Sequence, residues 1–379
     1  MDGAPFLWIR QDWLDKLGLK MPTTMDELYD VMVAFKEQDP DGNGQNDTVG
    51  MVLHKNFLTM ATGDAVGLFN GFGAYPTAWI DDGNGGLMYG SVAPEAKAAL
   101  DFLAKMYKNG LIEEDFSSKD EAKSTELVAA GTAGIQYGAM YNAIWPLQSS
   151  VDNDPNANWV PICIVSAEDG KEARPQISLR IVRYVVVSAK CEHPEAVVKA
   201  LNFWVDAFGY SSQEEYDKYL VDYSGTGVKD FPQHWVPLKT WNPLKNLQNY
   251  YAEKDAEETG DTSKLNAEQV NNHNDILAWQ NGDLSKTCAQ KTFGPTGSAF
   301  EAMDHYYQND LFLMNAFTGA PTETMQSKLS IVQDKVLEYY TKVIMGIETT
   351  DSFDDFVAEV NALGLEDITK EVNEWYSSK

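Results

Sequence analysis

The chain has 379 residues, 44% of them hydrophobic, and 57 Asp and Glu against 29 Lys and Arg, for a formal net charge of -28. This length and hydrophobic content accommodate two domains with separate cores and exclude a disordered chain. The negative field repels nucleic acid and anionic membrane surfaces. No apolar run approaches the ~18 residues of a membrane-spanning helix, and no signal-peptide pattern opens at Met1, which need not be the natural start. Cys163, Cys191 and Cys288 are too few and too scattered for a disulfide framework, so three buried free thiols are expected.

In chain order, Phe6–Arg10 (FLWIR) reads as a buried strand, followed by a helix over Gln11–Leu17 that Gly18 closes. Thr24 is the N-cap of the next helix, whose apolar face carries Leu28, Val31, Met32 and Phe35. Directly after it comes Asp39-Pro40-Asp41-Gly42-Asn43-Gly44-Gln45-Asn46-Asp47, with oxygen side chains at loop positions 1, 3, 5 and 9 and glycine at position 6. Gln45, at position 7, can add its backbone carbonyl. A hard cation wrapped by a single loop needs this spacing, so Asp39, Asp41, Asn43, Gln45 and Asp47 are candidate ligands of a structural Ca²⁺. Gly50 stands where an EF-hand has its bidentate glutamate, and Val49–Leu53 reads as a short strand instead of a second helix. The alternative is an ion-free turn, since Asp, Gly and Asn are also common turn formers.

Asp81–Gly86 reads as a hairpin turn, and a helix lies between Pro94 and Gly110. Ala133–Tyr137 and Trp159–Val165 read as strands. Leu179–Ser188 (LRIVRYVVVS) is the strongest strand pattern, running into a helix from Pro194 to Gly209 with Val197, Leu201, Trp204, Val205 and Phe208 on one face. From Tyr210 to Asp283 periodicity is weak, and KDAEETGDTSK reads as a solvated loop. Helical patterning returns over Thr322–Ile344. A capping box at Ser352–Asp355 is then expected to open a helix closed by Gly364, and Thr369 to cap a last short helix through Trp375. Strands alternating with helices, then helices alone, define an α/β class with mixed sheets.

No P-loop, dinucleotide fingerprint, zinc-spaced histidine pair or nucleophile elbow occurs. The many carboxylates read as solvated surface. Several aromatics, however, sit in glycine-rich or polar stretches: Trp79, Tyr141, Trp145, Trp235, Trp241 and Phe317. Singly, each fits core packing; as a set, they suit a flat hydroxylated ligand, with ring faces on its C–H surfaces and polar side chains on its hydroxyls.

The segment LWIRQDWLDKLGLKMPTTMDELYDVMVAFKEQDPDGNGQND resembles the recurrent segment of extracellular solute-binding proteins of ABC importers, family 1, the Gram-positive lipoprotein type. PEAKAALDFLAKMYKNGLIEEDF, NAFTGAPTETM and FDDFVAEVNALGLEDITKEVNEWY extend the resemblance to Tyr376. It implies a two-lobe periplasmic-binding-protein-like fold, no enzymatic activity, an oligosaccharide in the inter-lobe cleft and a membrane permease as partner. Peptides or other polar solutes are the alternative ligands, and a secreted calcium-stabilised glycan-active enzyme is the alternative class. Similarity to alginate-binding proteins supports the cation loop. Similarity to maltose-binding proteins nominates Met140, Tyr141 and Trp145 after strand Ala133–Tyr137, Arg180 on the hinge-crossing strand and Phe317 on a late loop, and Trp79 joins these candidate ligand-binding residues from the aromatic set. By the same resemblance, 1–178 is most of the second lobe with the calcium loop. Residues 179–310 are part of the first lobe plus a family-specific insertion, and 311–379 are helices packing on the second lobe. Family members carry a signal peptide, a lipidated cysteine and first-lobe strands upstream of LWIR. The expectation is therefore an extracellular lipoprotein whose anchor lies outside this sequence and whose first lobe is truncated at its N-terminus.

Overall fold

A computed structural model of the protein describes residues 2–60, 62–178, 185–209, 212–218 and 238–379. In chain order come β1 (Phe6–Arg10), α1 (Gln11–Leu17), α2 (Met25–Glu37), α3 (Val66–Gly71), β2 (Trp79–Asp81), β3 (Leu87–Tyr89), α4 (Ala96–Lys108) and α5 (Glu121–Ala130). They are followed by β4 (Ile135–Gly138), α6 (Leu147–Asn153), β5 (Trp159–Ile162), β6 (Gln176–Ile177), α7 (Glu195–Gly209) and α8 (Gln213–Tyr216). The remainder is α9 (Lys245–Thr259), α10 (Ala267–Gln280), α11 (Thr287–Phe293), α12 (Ala299–Gln308), β7 (Leu313–Met314), α13 (Glu323–Ile344), α14 (Phe353–Val360) and α15 (Glu366–Ser377). The described residues of Asp2–Leu179 and Ala302–Lys379 form one compact unit, and those of Arg180–Glu301 another. Among the described residues no helix is long and apolar enough to cross a membrane.

In the larger unit, β1 is buried throughout and pairs antiparallel with β4 on one side and β5 on the other. The turn before β4 leaves no room for a side chain at Gly134, where a Cβ would press on Trp13 and come within 2.7 Å of Phe35. Arg10 ends β1 as a buried cation. Its guanidinium takes Asp12 at 2.6 Å and Asp154 at 2.9 Å and lies 4.9 Å from the Trp13 ring centroid. A buried charge is tolerated only when paired in this way. Thr24 caps α2 through the Glu27 amide at 3.2 Å, as its sequence pattern predicts. The C-terminal helices belong to this unit. Tyr340 stacks on Phe69 and donates to Ser91 O at 2.7 Å, and the Asn373 amide of α15 bonds both Leu87 N and Leu87 O of β3.

The smaller unit is helical. Contacts between α9 and α10 are polar: Gln269 donates to Asn249 at 3.1 Å, and His273 Nδ1 lies 3.0 Å from buried Glu253.

Several expectations need correction. KDAEETGDTSK is no loop at its start, since its first six residues lie in α9; a helix that buries Asn249 and Glu253 among its apolar residues has little hydrophobic period to detect. Residues 179–184 of the expected strand Leu179–Ser188 lie outside the described residues. Val185–Ser188 is exposed and unpaired, because β-branched propensity without a partner strand makes no sheet. Val49 makes only an isolated bridge to Ala133, so Val49–Leu53 is not a strand, and β5 stops at Ile162. Ser352 stands at the N-cap position of α14 but forms no capping box; its hydroxyl turns back to Thr349 O at 2.9 Å. Gly364, at φ 128°, kinks the chain, and the last helix begins at Glu366, which places Thr369 inside it. Cys163 and Cys288 are half-buried, but Cys191 is exposed.

Gly134→Ala is expected to destabilise the protein by ~1–3 kcal/mol through overpacking. Urea unfolding measures it, and an unchanged midpoint would show that Trp13 and Phe35 move aside freely.

Candidate functional site

β4 ends at Gly138, where a Cβ would overlap the Asn142 side chain. Glycine there lets the chain turn at once into the short 3₁₀ turn Met140–Ala143. Asn142 points inward, fully buried, and donates to Thr62 Oγ1 at 2.7 Å. With Asn142 anchored, its neighbours face outward: Tyr141 is 40%, Ile144 61% and Trp145 49% exposed. Met140 is half-buried, and the Tyr141 hydroxyl donates to Met60 O at 3.3 Å. The turn thus brings Met140, Tyr141 and Trp145 together. Ile144 joins them, a residue that sequence reasoning missed and that its spacing three after Tyr141 could have signalled.

The described residues on either side of position 61 are held by α5 and β4. Ser124 Oγ donates to Leu53 O at 3.0 Å, Thr62 N donates to Glu121 Oε1 at 3.2 Å, and Gly63 N donates to Tyr137 O at 2.9 Å. His54 is buried, and its Nδ1 accepts the Asn56 amide at 3.2 Å, so the ring proton lies on Nε2, which has no partner. Burial pushes its pKa below the ordinary 6.5, against the upward pull of Glu121 and Asp120.

Trp79 and Phe317 lie elsewhere on the same unit. Trp79 is only 3% exposed, with Tyr89 at 5.3 Å and Phe317 at 6.4 Å between ring centroids, so it offers a ligand no face and serves packing. Phe317 is half-buried against Trp375 at 4.8 Å, and Asn315 Oδ1 accepts the amides of both Trp79 and Phe317. Neighbouring Met314 is exposed. Arg180 and Trp235 lie outside the described residues. In the smaller unit, Trp241 is partly exposed and edge-on to Trp204 at 5.2 Å.

The loop Asp39–Asp47 is tied down by Lys16, which donates to Pro40 O at 2.7 Å, and by buried Thr48, which donates to Phe35 O at 2.7 Å. Asp39 and Gly44 adopt positive φ, 48° and 75°, and the Gly44 amide turns in to Asp39 Oδ2 at 3.1 Å. The Asn43 amide nitrogen lies 2.9 Å from Asp41 Oδ2 and 3.1 and 3.2 Å from the Asp47 oxygens. Asn43 Oδ1 accepts the Gln45 amide at 2.6 Å. The neighbouring Asp41 carboxyl holds the Asp39 pKa low, helped by the Gly44 and Gly42 amides, while burial pushes Asp41 up. Among the described residues no three His, Cys, Asp or Glu side chains form a ready metal-holding group. In this arrangement the Asn43 NH₂ stands between the carboxylates of Asp41 and Asp47.

Residues 1–207 match the family of bacterial extracellular solute-binding proteins, and the chain belongs to that family. It is a family of binding proteins, not of enzymes. The chain is 37% identical to Lipoprotein LipO of Bacillus subtilis over 169 residues, which is 44% of this chain and 32% of LipO. It is 38% identical to the polygalacturonan/rhamnogalacturonan-binding protein YtcQ of the same organism over 136 residues, 36% of this chain and 26% of YtcQ. The matched part thus spans about a third or less of these curated relatives. The alginate-binding protein AlgQ2, solved without calcium ion, superposes with a TM-score of 0.61 at 18% identity, over 99% of this chain and 72% of that one. The shared fold is the two-lobe α/β fold of solute-binding proteins.

The neutral His54 predicts a pH dependence. The unfolded chain takes up its proton at about the ordinary 6.5, before the folded chain does. Its contribution is therefore full above that pH and is lost as pH falls through it toward the lower folded value. The melting temperature is expected to drop as pH falls below the ordinary 6.5, and His54→Gln to flatten the drop. An unchanged slope in His54→Gln would assign the acid sensitivity elsewhere.

Proposed function

We propose that the protein is the extracellular solute-binding component of an ABC importer and captures an oligosaccharide. The observation that carries this is the outward display of Tyr141 and Trp145 on a rigid turn at the end of a buried strand. Burying a large ring costs nothing in a core, whereas holding two of them half in solvent forgoes that burial unless a ligand supplies it. Sugar rings present C–H faces that stack on such rings. Membership of the solute-binding family supports the reading, as does the similarity to YtcQ, which is named for binding polygalacturonan and rhamnogalacturonan. A membrane permease is the partner this role requires, and the likeness to LipO supports a lipoprotein held at the outer face of the membrane.

The same reading assigns Asp39, Asp41, Asn43, Gln45 and Asp47 to a structural Ca²⁺. What supports it is the donor set, all oxygen and spaced along one loop with both ends pinned. Three carboxylates carried on one short loop repel each other unless a proton or a cation lies among them. Turning the Asn43 amide about its end would put an oxygen among the carboxylates where its NH₂ now stands. Bound there, calcium would offset two of the three carboxylate charges and stiffen the loop behind α2.

Isothermal calorimetry with neutral oligosaccharides, oligouronates and peptides tests the ligand class. Saccharide binding is expected, with neutral chains favoured by the field of a -28 protein. Trp145→Ala should weaken it by about tenfold, the ~1.4 kcal/mol of one stacked ring. Binding of peptides alone, or full sugar affinity in Trp145→Ala, overturns the assignment.

For the cation, a calcium chelator and Asp41→Ala should each lower the melting temperature, since a ligand bound only to the native state stabilises it. If neither does, the loop is an ion-free turn.

A further inference from the structure

We propose that Gln176 is a positioning residue that sets the spacing of two ligand-facing patches, Tyr141 with Trp145 and Met314 with Phe317. It thereby sets the length of saccharide that gains affinity. The inference rests on the oligosaccharide reading.

Gln176 is 3% exposed and forms a reciprocal pair with equally buried Asn70. The Gln176 backbone amide donates to Asn70 Oδ1 at 2.8 Å, and Asn70 Nδ2 donates back to Gln176 Oε1 at 2.9 Å. The remaining donors of its Nε2 face two other segments, Pro76 O at 2.8 Å and the Met60 thioether at 4.0 Å. Met60 is the residue whose carbonyl holds the Tyr141 hydroxyl. On its backbone side Gln176 opens β6, in register with Leu313 of β7, and the next pair is Ile177 with Met314. Asn315 follows, donating to Ile177 O at 2.8 Å and accepting the Phe317 amide at 3.2 Å. One buried amide therefore joins the support of Tyr141 to β7, which carries Met314 and leads through Asn315 to Phe317.

An apolar side chain of the same volume would fill this space with less desolvation, but it would impose no direction on three segments at once. A fully satisfied buried amide does impose it, because each partner would be orphaned by a shift. Gln176 touches no ligand in this scheme and acts through the two patches.

The test is calorimetry of the protein with a ladder of oligosaccharides from disaccharide to hexasaccharide. The variants are Gln176→Met, Gln176→Glu and Met60→Leu. Gln176→Met keeps the side-chain length and removes its donors. Gln176→Glu sets an oxygen against Pro76 O. Met60→Leu leaves the Asn70–Gln176 pair intact and removes only the thioether contact, so it decides the matter should the Gln176 variants fail to fold. Wild-type affinity is expected to rise along the ladder. The variants are expected to keep disaccharide affinity within about twofold while losing about tenfold of the gain from longer chains.

A ladder unchanged in the variants, or a loss equal at every length, overturns the positioning role and leaves the oligosaccharide reading intact. A wild-type protein that binds no member of the ladder or of the wider sugar panel overturns both.

Discussion

The steric closure of β4 between two glycines is the constraint on which the larger unit depends. Gly134 lies against Trp13 and Phe35 before the strand, and Gly138 lies against Asn142 at its end. A residue with a Cβ fits at neither place. Sliding β4 along β1 would bring Ile135 or Tyr137 into one of those positions, so the register of the whole sheet is fixed by volume. From that register the rest follows. The chain leaves the sheet beside Asn142, Asn142 takes Thr62, and the aromatic side chains of the next turn have no core left to enter.

Much of this was legible from residue patterns. The limits of β1 and α1, the Thr24 cap, the Asp81–Gly86 turn and the long helix before Gly346 all carry local signals in which propensity, periodicity and capping agree. Tyr141 and Trp145 were legible as aromatics in a glycine-rich stretch. Trp79 carried the same signal and is buried, because its surroundings come from Tyr89 and Phe317, and Phe317 is more than two hundred positions away. Nothing local distinguishes the two cases. The support by Gln176 and Asn70 was invisible for the same reason: both are ordinary amides until β6 meets α3.

The smaller unit shows a different limit. Hydrophobic periodicity finds helices that bury an apolar stripe, whereas α9 buries Asn249 and Glu253 along with Leu247 and Tyr250. Its partner α10 answers with Gln269 and His273, and the Asn266 capping box fixes where α10 starts. Burial raises the Glu253 pKa, and His273 opposes the rise. Such an interface exchanges hydrophobic gain for directional bonds, so it specifies one alignment of the two helices while leaving no periodic trace in the sequence.

The three thiols differ in a way with practical reach. Burial pushes Cys163 up to about 12 and also raises Cys288, so neither offers much thiolate near neutrality. Cys191 stands in solvent just ahead of α7. A maleimide or a nitroxide reagent will therefore reach exposed Cys191 ahead of the other two. The native chain already holds a single addressable point for a fluorophore or spin probe, and changes around the 185–193 segment can be followed in real time without introducing or deleting a cysteine.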